Sequence, residues 1–280
     1  MKISAFTIVR NAIKYNYPIL ESIQSILGLC DELIINVGDS TDGTLTLIKS
    51  IKSQKIKIIE NKWDFSQGKE VLSYQTNLAL KECKGDWAFY LQSDEVIHEN
   101  DLLKLKKVMK ESFKNNDIDA LRFLWFHFYG SYYRYRIDLG WYQKQDRIIR
   151  NNGEIESYGD AFGFKRKDDK PLRRRHTYCF VYHYGWVQPE DVMQERRLNA
   201  EKIGFVQLTD KQRESKFKFT DLEQFPAYFG THPRVMTQRI QKHALSQGDL
   251  KRIGNKYWWH PLKIFNVRFK TGRRVKEKIE

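Results

Sequence analysis

Two neighbouring carboxylates, Asp94 and Glu95, lie just after an apolar run at residues 87–91. An apolar run that leads to acids places negative charge beyond the carboxyl end of a buried strand, where open α/β folds bind their ligands. Mg²⁺ and Mn²⁺ prefer oxygen ligands and are often held by one or two carboxylates together with substrate phosphates. The pair therefore predicts a metal and nucleotide-diphosphate site centred on Asp94, although an acid at this point could also cap the following helix.

The loop at residues 38–44 (Gly-Asp-Ser-Thr-Asp-Gly-Thr) is the second stretch that could bind a ligand. Asp39 and Asp42 could accept hydrogen bonds from a base or ribose, and the helix after the loop would offer backbone N–H groups to an anion. The same residues are typical of an ordinary turn that begins a helix. The loop alone does not decide between binding and a structural turn.

The elements that must position these residues alternate between strands and helices. Apolar β-rich runs predict strands at 3–9, 32–37, 55–60 and 86–92, and helical spacing predicts helices at 18–29, 44–52 and 68–82. This alternation predicts an α/β fold with a mostly parallel, Rossmann-like sheet flanked by helices. Right-handed crossovers would bring the loops after the four strands to one edge of the sheet.

After a predicted helix at 99–114 the pattern changes to short aromatic-rich segments separated by turns. These segments lie at 118–129, 131–138, 145–150, 159–166 and 177–187. They predict a small antiparallel addition that completes a pocket. Helical spacing returns from residue 189, and we expect residues 1–190 to form a catalytic domain and residues 191–280 a basic, mainly helical or irregular extension packed on it.

The composition indicates a folded protein that is soluble or peripheral to a membrane. With 280 residues, 41% of them hydrophobic, the chain can bury a substantial core. Cys30, Cys83 and Cys179 form no Cys-x-x-Cys pair, which argues against a zinc site or disulfide framework and suits the cytoplasm. No apolar segment approaches the length of a membrane span, and Arg10 comes before a signal region could form.

The net charge of +14 is concentrated near the C-terminus, since residues 211–280 carry 17 Lys and Arg against 6 Asp and Glu. Charge alone would suit a nucleic-acid-binding protein, but no recognition motif is present, which argues against nucleic acid as a partner. Together with the Trp258-Trp259 pair, the basic region could contact an anionic membrane surface, or it could be a solvated face.

Taken together, four motifs resemble family 2 glycosyltransferases of the GT-A fold. In chain order they are Thr7 with Arg10-Asn11, the segment 31–44, Tyr-Gln-Thr-Asn at 74–77, and Gly-Asp-Trp-Ala-Phe-Tyr-Leu-Gln-Ser-Asp-Glu at 85–95. The resemblance implies an enzyme that transfers a sugar from a nucleotide-diphosphate sugar to a glycan, lipid-linked or protein acceptor. It also implies the use of Mn²⁺ or Mg²⁺ and, usually, inversion of the anomeric carbon.

The resemblance also assigns expected roles to individual residues. In the family's Asp-x-Asp motif the last acid binds the metal, which places that role on Asp94, and His183 matches a late histidine that reaches the metal or the diphosphate. His183 could instead be a hydrogen-bonded core residue. The expected donor-binding residues are Thr7, Arg10, Asn11, Asp39, Asn77, Gln92, Ser93 and Asp94.

Two positions depart from the family pattern. Gln92 replaces the first acid of the Asp-x-Asp motif, so an amide would have to make the ribose or metal contact, and metal dependence could be weak. Asp39 is displaced by one residue from the place where the family commonly has an acid. Thr7, Arg10, Asn11 and Asn77 could each be local cap or turn residues.

The catalytic base should be a carboxylate in the pocket-completing segment, because it takes a proton from the acceptor hydroxyl. We favour Asp160, framed by glycines in Tyr-Gly-Asp-Ala-Phe-Gly, with Asp138 as the reserve. Arg147 or Arg150 could steady the donor phosphates, or both could pair with neighbouring acids. The aromatic residues between 123 and 142 could stack on sugar rings or form core.

Three other functions stay open at this point. A nucleotidyltransferase on a similar sheet would also need a metal at a strand end, but it would release pyrophosphate. A catalytically inactive protein of this fold is compatible with Gln92. A nucleic-acid-binding protein would show steep salt dependence.

Overall fold

The computed structural model describes residues 1–138, 140–219 and 222–242. Within them the strands are β1 (Ile3–Val9), β2 (Glu32–Val37), β3 (Ile56–Glu60), β4 (Trp87–Tyr90), β5 (Glu95–Ile97), β6 (Ala120–Tyr129), β7 (Tyr135–Arg136), β8 (Lys144–Arg150), β9 (Ile155–Tyr158), β10 (Gly163–Arg166) and β11 (Arg174–Trp186). The α-helices are α1 (Ile19–Leu27), α2 (Thr44–Lys49), α3 (Glu70–Lys81), α4 (Glu99–Phe113), α5 (Glu190–Lys202), α6 (Asp210–Glu214) and α7 (Thr237–Lys242). Short 3₁₀ helices lie at Phe65–Gln67, Leu222–Gln224 and Arg234–Met236.

The main sheet has the strand order β3-β2-β1-β4-β8-β6-β11-β5, with β7 beside β6. β1 pairs in parallel with β2 and β4, and β2 pairs in parallel with β3. The carboxyl ends of these four strands therefore lie at one edge. The predicted α/β fold, with a mostly parallel sheet and flanking helices, is confirmed.

Alternate residues of β1 contribute to two cores on opposite faces of the sheet. Ile3, Ala5 and Val9 pack in the core that includes α1, and Phe6 and Ile8 pack in the core that includes α3. A strand covered on both faces is apolar along its length, which explains why β1 lacks the alternation of a half-exposed strand. This double burial fixes the position of the loop that follows β1.

The aromatic-rich second half contains the predicted antiparallel addition, together with one parallel pair of strands that was not predicted. β8 does pair antiparallel to β4 and β6, and β9 with β10 forms a separate two-stranded antiparallel sheet. However, β6 and β11 pair in parallel inside the main sheet. β6 (Ala-Leu-Arg-Phe-Leu-Trp-Phe-His-Phe-Tyr) is buried at nine of its ten positions, so its aromatic residues belong to a strand covered on both faces.

The described part of the C-terminal extension packs on the preceding domain. Arg239 donates to Glu21 Oε1 at 2.7 Å and to Asn16 Oδ1 at 2.8 Å, which ties α7 to α1 and to the loop before it. Tyr228 and Met236 are buried in an aromatic cluster formed mainly by β6 and β11. The predicted boundary at residue 190 therefore lies within a continuous set of contacts.

In residues 1–138, 140–219 and 222–242 there is no helix that is both long and apolar enough to cross a bilayer. Cys30, Cys83 and Cys179 are free and buried. The Trp258-Trp259 pair, on which the predicted membrane contact partly rests, lies outside the described residues.

Candidate active site

A cavity of about 620 Å³ opens at the carboxyl ends of β1 and β4. The sheet contributes Val9 and Arg10 after β1 and the consecutive residues Gln92, Ser93 and Asp94 after β4. The turn that carries Asp160, the end of β11, and α5 with the chain after it form the other walls. The cavity lies at the edge of the sheet where the parallel fold is expected to bind ligands.

Asp94 lines this cavity and contacts the second predicted metal ligand, His183, which is not itself one of the lining residues. His183 Nε2 lies 3.4 Å from Asp94 Oδ2, and the two side chains are only 10% and 14% exposed. Gly185 makes this approach possible, because a Cβ on that residue would lie 2.2 Å from Asp94 Oδ2. A carboxylate oxygen and an imidazole nitrogen, both of types that can bind a metal, thus face one another beside a glycine.

The electrostatic surroundings keep Asp94 ionised. Burial alone would raise the pKa of Asp94, but His183 and Arg196 outweigh burial, and the pKa lies below its usual value. The carboxylate therefore keeps its negative charge at neutral pH, although it is almost enclosed. A charged, nearly buried acid in a cavity is suited to holding a cation.

We expect Gly185→Ala to damage this centre with a limited cost to folding. The new methyl group would displace Asp94 and His183, since it would also lie 2.9 Å from His183 Nε2. Such crowding costs about 1–3 kcal/mol of unfolding free energy, and it should weaken the thermal stabilisation by Mn²⁺ that the sequence predicts.

Gly28→Ala is the matched control for this substitution, because a Cβ at Gly28 meets nothing within 4 Å. Urea denaturation and thermal unfolding with Mn²⁺ would measure both effects. Unchanged stability and Mn²⁺ response in Gly185→Ala would contradict the tight approach.

His127, on β6, hydrogen-bonds to His183 on the side away from Asp94. The two Nδ1 atoms are 3.2 Å apart, and His127 Nε2 lies 2.7 Å from the carbonyl oxygen of Tyr142. Burial, followed by the proximity of His183, lowers the pKa of His127 to about 3. His127 is therefore a neutral imidazole, and its role is in hydrogen bonding.

Gln92 connects the Asp94 segment to the turn that carries Asp160. Gln92 Nε2 donates to the carbonyl oxygen of Ala161 at 3.2 Å, and its backbone N–H donates to Glu95 Oε2 at 3.1 Å. Ala161 has a positive φ of 60°, a conformation that non-glycine residues adopt rarely. The amide that replaces the family's first acid thus supports a strained turn.

The two candidate bases differ in their surroundings. Asp160 is exposed and lines the cavity. Asp138 does not line it, and both of its oxygens accept hydrogen bonds from Arg136. Hydrogen bonding from Arg136 lowers the pKa of Asp138, which makes this carboxylate a poor proton acceptor.

The 38–44 loop is held against the end of β1. The Asn11 backbone N–H donates to Ser40 Oγ at 3.0 Å, and Asn11 Oδ1 accepts from the Thr41 backbone N–H at 2.8 Å. Arg10 Nε donates to Asp39 Oδ1 at 3.0 Å. Asn11 therefore holds the loop in place through hydrogen bonds. Arg10 lines the cavity and donates a hydrogen bond to Asp39.

Two residues that the sequence suggested for donor binding make structural contacts away from the cavity. Thr7 is 2% exposed within β1, and its hydroxyl contacts the carbonyl oxygen of Ile8. Asn77 exchanges two hydrogen bonds with the backbone of Ser157, at 2.9 and 2.8 Å. Neither side chain lines the cavity, and Asn77 joins α3 to β9.

The strands that form the cavity lie within a segment that matches a known protein family. The profile described as "Glycosyl transferase family 2" matches residues 4–188. The chain belongs to this family. The match includes the strands whose ends form the cavity, but it ends before α5 of this family 2 glycosyltransferase.

Two solved structures are similar to the family 2 chain. The crystal structure of S. aureus TarS has 17% sequence identity and a TM-score of 0.45, over 71% of this chain and 39% of that one. The crystal structure of S. aureus TarS 1-349 has 17% identity and a TM-score of 0.39, over 73% and 69%. This chain therefore spans less than half of the longer TarS chain. The curated proteins contain no significant match.

The most informative residue that sequence reasoning missed is Arg196, on α5 of this family 2 glycosyltransferase. It lines the cavity, donates to the carbonyl oxygen of Gly185, and lies 4.9 Å from the ring centroid of Tyr17. Within the described residues, no carboxylate lies within 4.0 Å of its guanidinium. Two adjacent arginines after the last strand could have indicated an anion-binding position, but their helical spacing predicts only a helix.

Arg147 and Arg150, which the sequence offered as phosphate ligands, have structural partners instead. Arg147 makes two hydrogen bonds to Glu95, at 2.8 and 2.7 Å, and both side chains are fully buried. Arg150 donates to the backbone carbonyls of Ile118 and Asn115. Both guanidinium groups therefore make structural contacts within the protein. Glu95 forms a buried ion pair with Arg147.

Proposed function

We propose that this family 2 glycosyltransferase transfers a sugar from a nucleotide-diphosphate sugar to a glycan, lipid-linked or protein acceptor, with Mn²⁺ or Mg²⁺ and with inversion of the anomeric carbon. The observation that carries the proposal is the ionised, nearly buried Asp94 beside His183 in a cavity at the carboxyl edge of the sheet. Family membership supports glycosyl transfer, and the site supports a charged donor.

Asp94 and His183 would hold the metal ion. No group of three or more His, Cys, Asp or Glu able to bind a metal occurs in the parts of the chain described. Two protein ligands suit an ion whose remaining ligands are substrate phosphates and water. Asp94 Oδ2 and His183 Nε2, which are 3.4 Å apart, are close enough that both could bind one ion. When bound, the ion supplies positive charge to the leaving diphosphate.

The cationic side chains of the cavity would bind the phosphates together with the ion. Arg196 and Arg197 come from α5 and Arg10 from the end of β1. A guanidinium without an acidic partner is well suited to a phosphate, because its planar donors match the phosphate oxygens. Arg196 meets this description best.

Asp160 is the proposed base of the transfer step. The acceptor oxygen would attack the anomeric carbon while the bond from that carbon to the diphosphate oxygen breaks, and Asp160 would take the proton of the acceptor hydroxyl. One displacement of this kind inverts the anomeric carbon. Asp138 is less suited, because Arg136 already occupies both of its oxygens.

We expect Arg196→Met to weaken the affinity for nucleoside diphosphate about tenfold, since hydrogen bonds to charged groups contribute about 1.5–3 kcal/mol. Methionine keeps much of the apolar contact with Tyr17. Isothermal titration with a nucleoside diphosphate and Mn²⁺ would measure the change. Arg234→Met, at an 87% exposed arginine, is the control, and equal affinities for the two variants would refute the phosphate role of Arg196.

The function as a whole is tested by thermal unfolding with a panel of nucleotide sugars, each with Mn²⁺ or Mg²⁺, followed by product analysis. A ligand that binds the folded state raises its stability with ligand concentration. Release of nucleoside diphosphate with sugar transfer supports the proposal. Release of pyrophosphate would support nucleotidyl transfer, and the absence of a response to any donor would support an inactive protein.

A cytoplasmic location, with peripheral contact to an anionic membrane through the basic C-terminal region, is part of the proposal. It rests on the 17 Lys and Arg of residues 211–280, because basic segments are attracted to anionic lipids. Flotation with anionic vesicles at low and high salt would test it. Binding that persists in a chain truncated after Lys242 would assign the contact to residues before 243.

A further inference from the structure

We infer that His127 is a positioning residue that fixes the tautomer of His183, so that the Nε2 lone pair of His183 faces the metal position beside Asp94. The inference rests on the proposed metal site. It concerns the direction of two hydrogen bonds in a chain from the Tyr142 backbone through His127 to His183.

The direction of the first bond is fixed by its acceptor. The carbonyl oxygen of Tyr142 lies 2.7 Å from His127 Nε2, and a carbonyl can only accept, so this nitrogen carries the proton. His127 is 1% exposed. A neutral imidazole with a proton on Nε2 has a lone pair on Nδ1.

The second bond follows from the first. His127 Nδ1 must accept, so His183 Nδ1, at 3.2 Å, must donate. His183 Nδ1 therefore carries a proton, and Nε2, at 3.4 Å from Asp94 Oδ2, is the nitrogen whose lone pair a metal ion would use. A metal ion bound between these two atoms would take the place of a proton on His183 Nε2.

Packing holds the His127 ring in this orientation. The rings of Trp141 and Tyr142 lie edge-on to it, at centroid distances of 5.0 and 4.9 Å. A half-turn of the imidazole would place carbon atoms at both hydrogen-bonding positions and lose both bonds. His127 and His183 are also register partners on the parallel strands β6 and β11, so the backbone supports the contact.

Two substitutions test the roles of the two ring nitrogens of His127 independently. The side-chain oxygen of Asn can occupy the place of Nδ1, whereas the amide nitrogen of Gln can occupy the place of Nε2. We expect His127→Asn to keep the acceptor for His183 and bind Mn²⁺ within about threefold of wild type. His127→Gln should bind it about 10–100-fold more weakly, the usual effect of losing a partner that orients a metal ligand.

Mn²⁺ affinity would be measured by electron paramagnetic resonance, and the tautomer of His183 by ¹⁵N NMR of histidine-labelled protein without metal. His232→Gln is the control, because His232 is another largely buried histidine, bonded to the Tyr184 hydroxyl at 2.8 Å, and its replacement should leave Mn²⁺ affinity unchanged. Circular dichroism would show that each variant is folded.

The outcomes separate this inference from the proposed function. A proton on His183 Nδ1 in wild type that is lost or mixed in His127→Gln, with weaker Mn²⁺ binding, supports the inference. A proton on Nε2 but not on Nδ1 in wild type, or equal Mn²⁺ affinities of wild type and His127→Gln, overturns it and leaves the metal site intact. Absence of Mn²⁺ binding by wild type overturns the metal site and this inference together.

Discussion

Asp94→Asn is expected to reduce sugar transfer by at least about 100-fold, the scale on which the loss of one electrostatic contact to a developing charge acts. Asparagine has nearly the same size, so the fold should persist. It lacks the negative charge that Asp94 keeps even though its side chain is only 14% exposed. The Mn²⁺-dependent rise in unfolding temperature should disappear in the same variant.

The measurement is the release of nucleoside diphosphate from the donor that the screen identifies, together with thermal unfolding with and without Mn²⁺. Asp117→Asn is the matched control, because that side chain is 82% exposed in a surface ion pair. A folded Asp94→Asn variant with activity close to that of the control would remove Asp94 from the mechanism.

Arg147→Met is expected to lower the free energy of unfolding by about 3–5 kcal/mol, because removing one partner of a buried ion pair leaves an uncompensated charge. The Arg147 and Glu95 side chains are both 0% exposed. Burial would lower the pKa of Arg147, but Glu95 raises it well above its usual value. Arg147 also donates to the carbonyl oxygen of Phe162 at 2.9 Å, which would lose its donor.

The double variant Glu95→Leu with Arg147→Met is expected to be more stable than Arg147→Met alone, because no unpaired charge remains. Urea denaturation of the two single variants and the double variant would measure this coupling. Arg213→Met, at a surface pair with Glu201, should change stability by less than about 1 kcal/mol. A loss in Arg147→Met no larger than in this control would show that the buried pair is not needed for stability.

The alternating half of the fold was predictable from sequence because its signals are local. The apolar run of β1 and the spacing of Ile19, Ile23 and Ile26 in α1 each lie within one element. The parallel pairing of β6 with β11 was not predictable, because a buried aromatic strand has the same composition in either direction. Pairing depends on which strands lie next to one another, and β6 and β11 are separated by β7 to β10.

The candidate site was predictable where a motif marks the end of a strand, and less so where a side chain has a distant partner. Sequence placed Asp94 and His183 in one site, and the structure brings them to 3.4 Å. The sequence could not show whether Arg147 binds a phosphate or pairs with an acid, because its partner Glu95 lies 52 residues away. Asn77 illustrates the same difficulty, since its two bonds to Ser157 span 80 residues.

The bonds that Arg239 makes to Glu21 and Asn16 have a consequence for how the protein can be divided. The segment that the family profile matches ends at residue 188, whereas α1 and the loop before it are anchored by a side chain about fifty residues further on. A fragment cut at the end of the family match would leave part of the aromatic cluster of β6 and β11 uncovered. The segment that the family profile matches is therefore shorter than the segment that forms the cavity and covers the aromatic cluster, and chimaeras built from this chain should carry α5 through α7 together with residues 1–190.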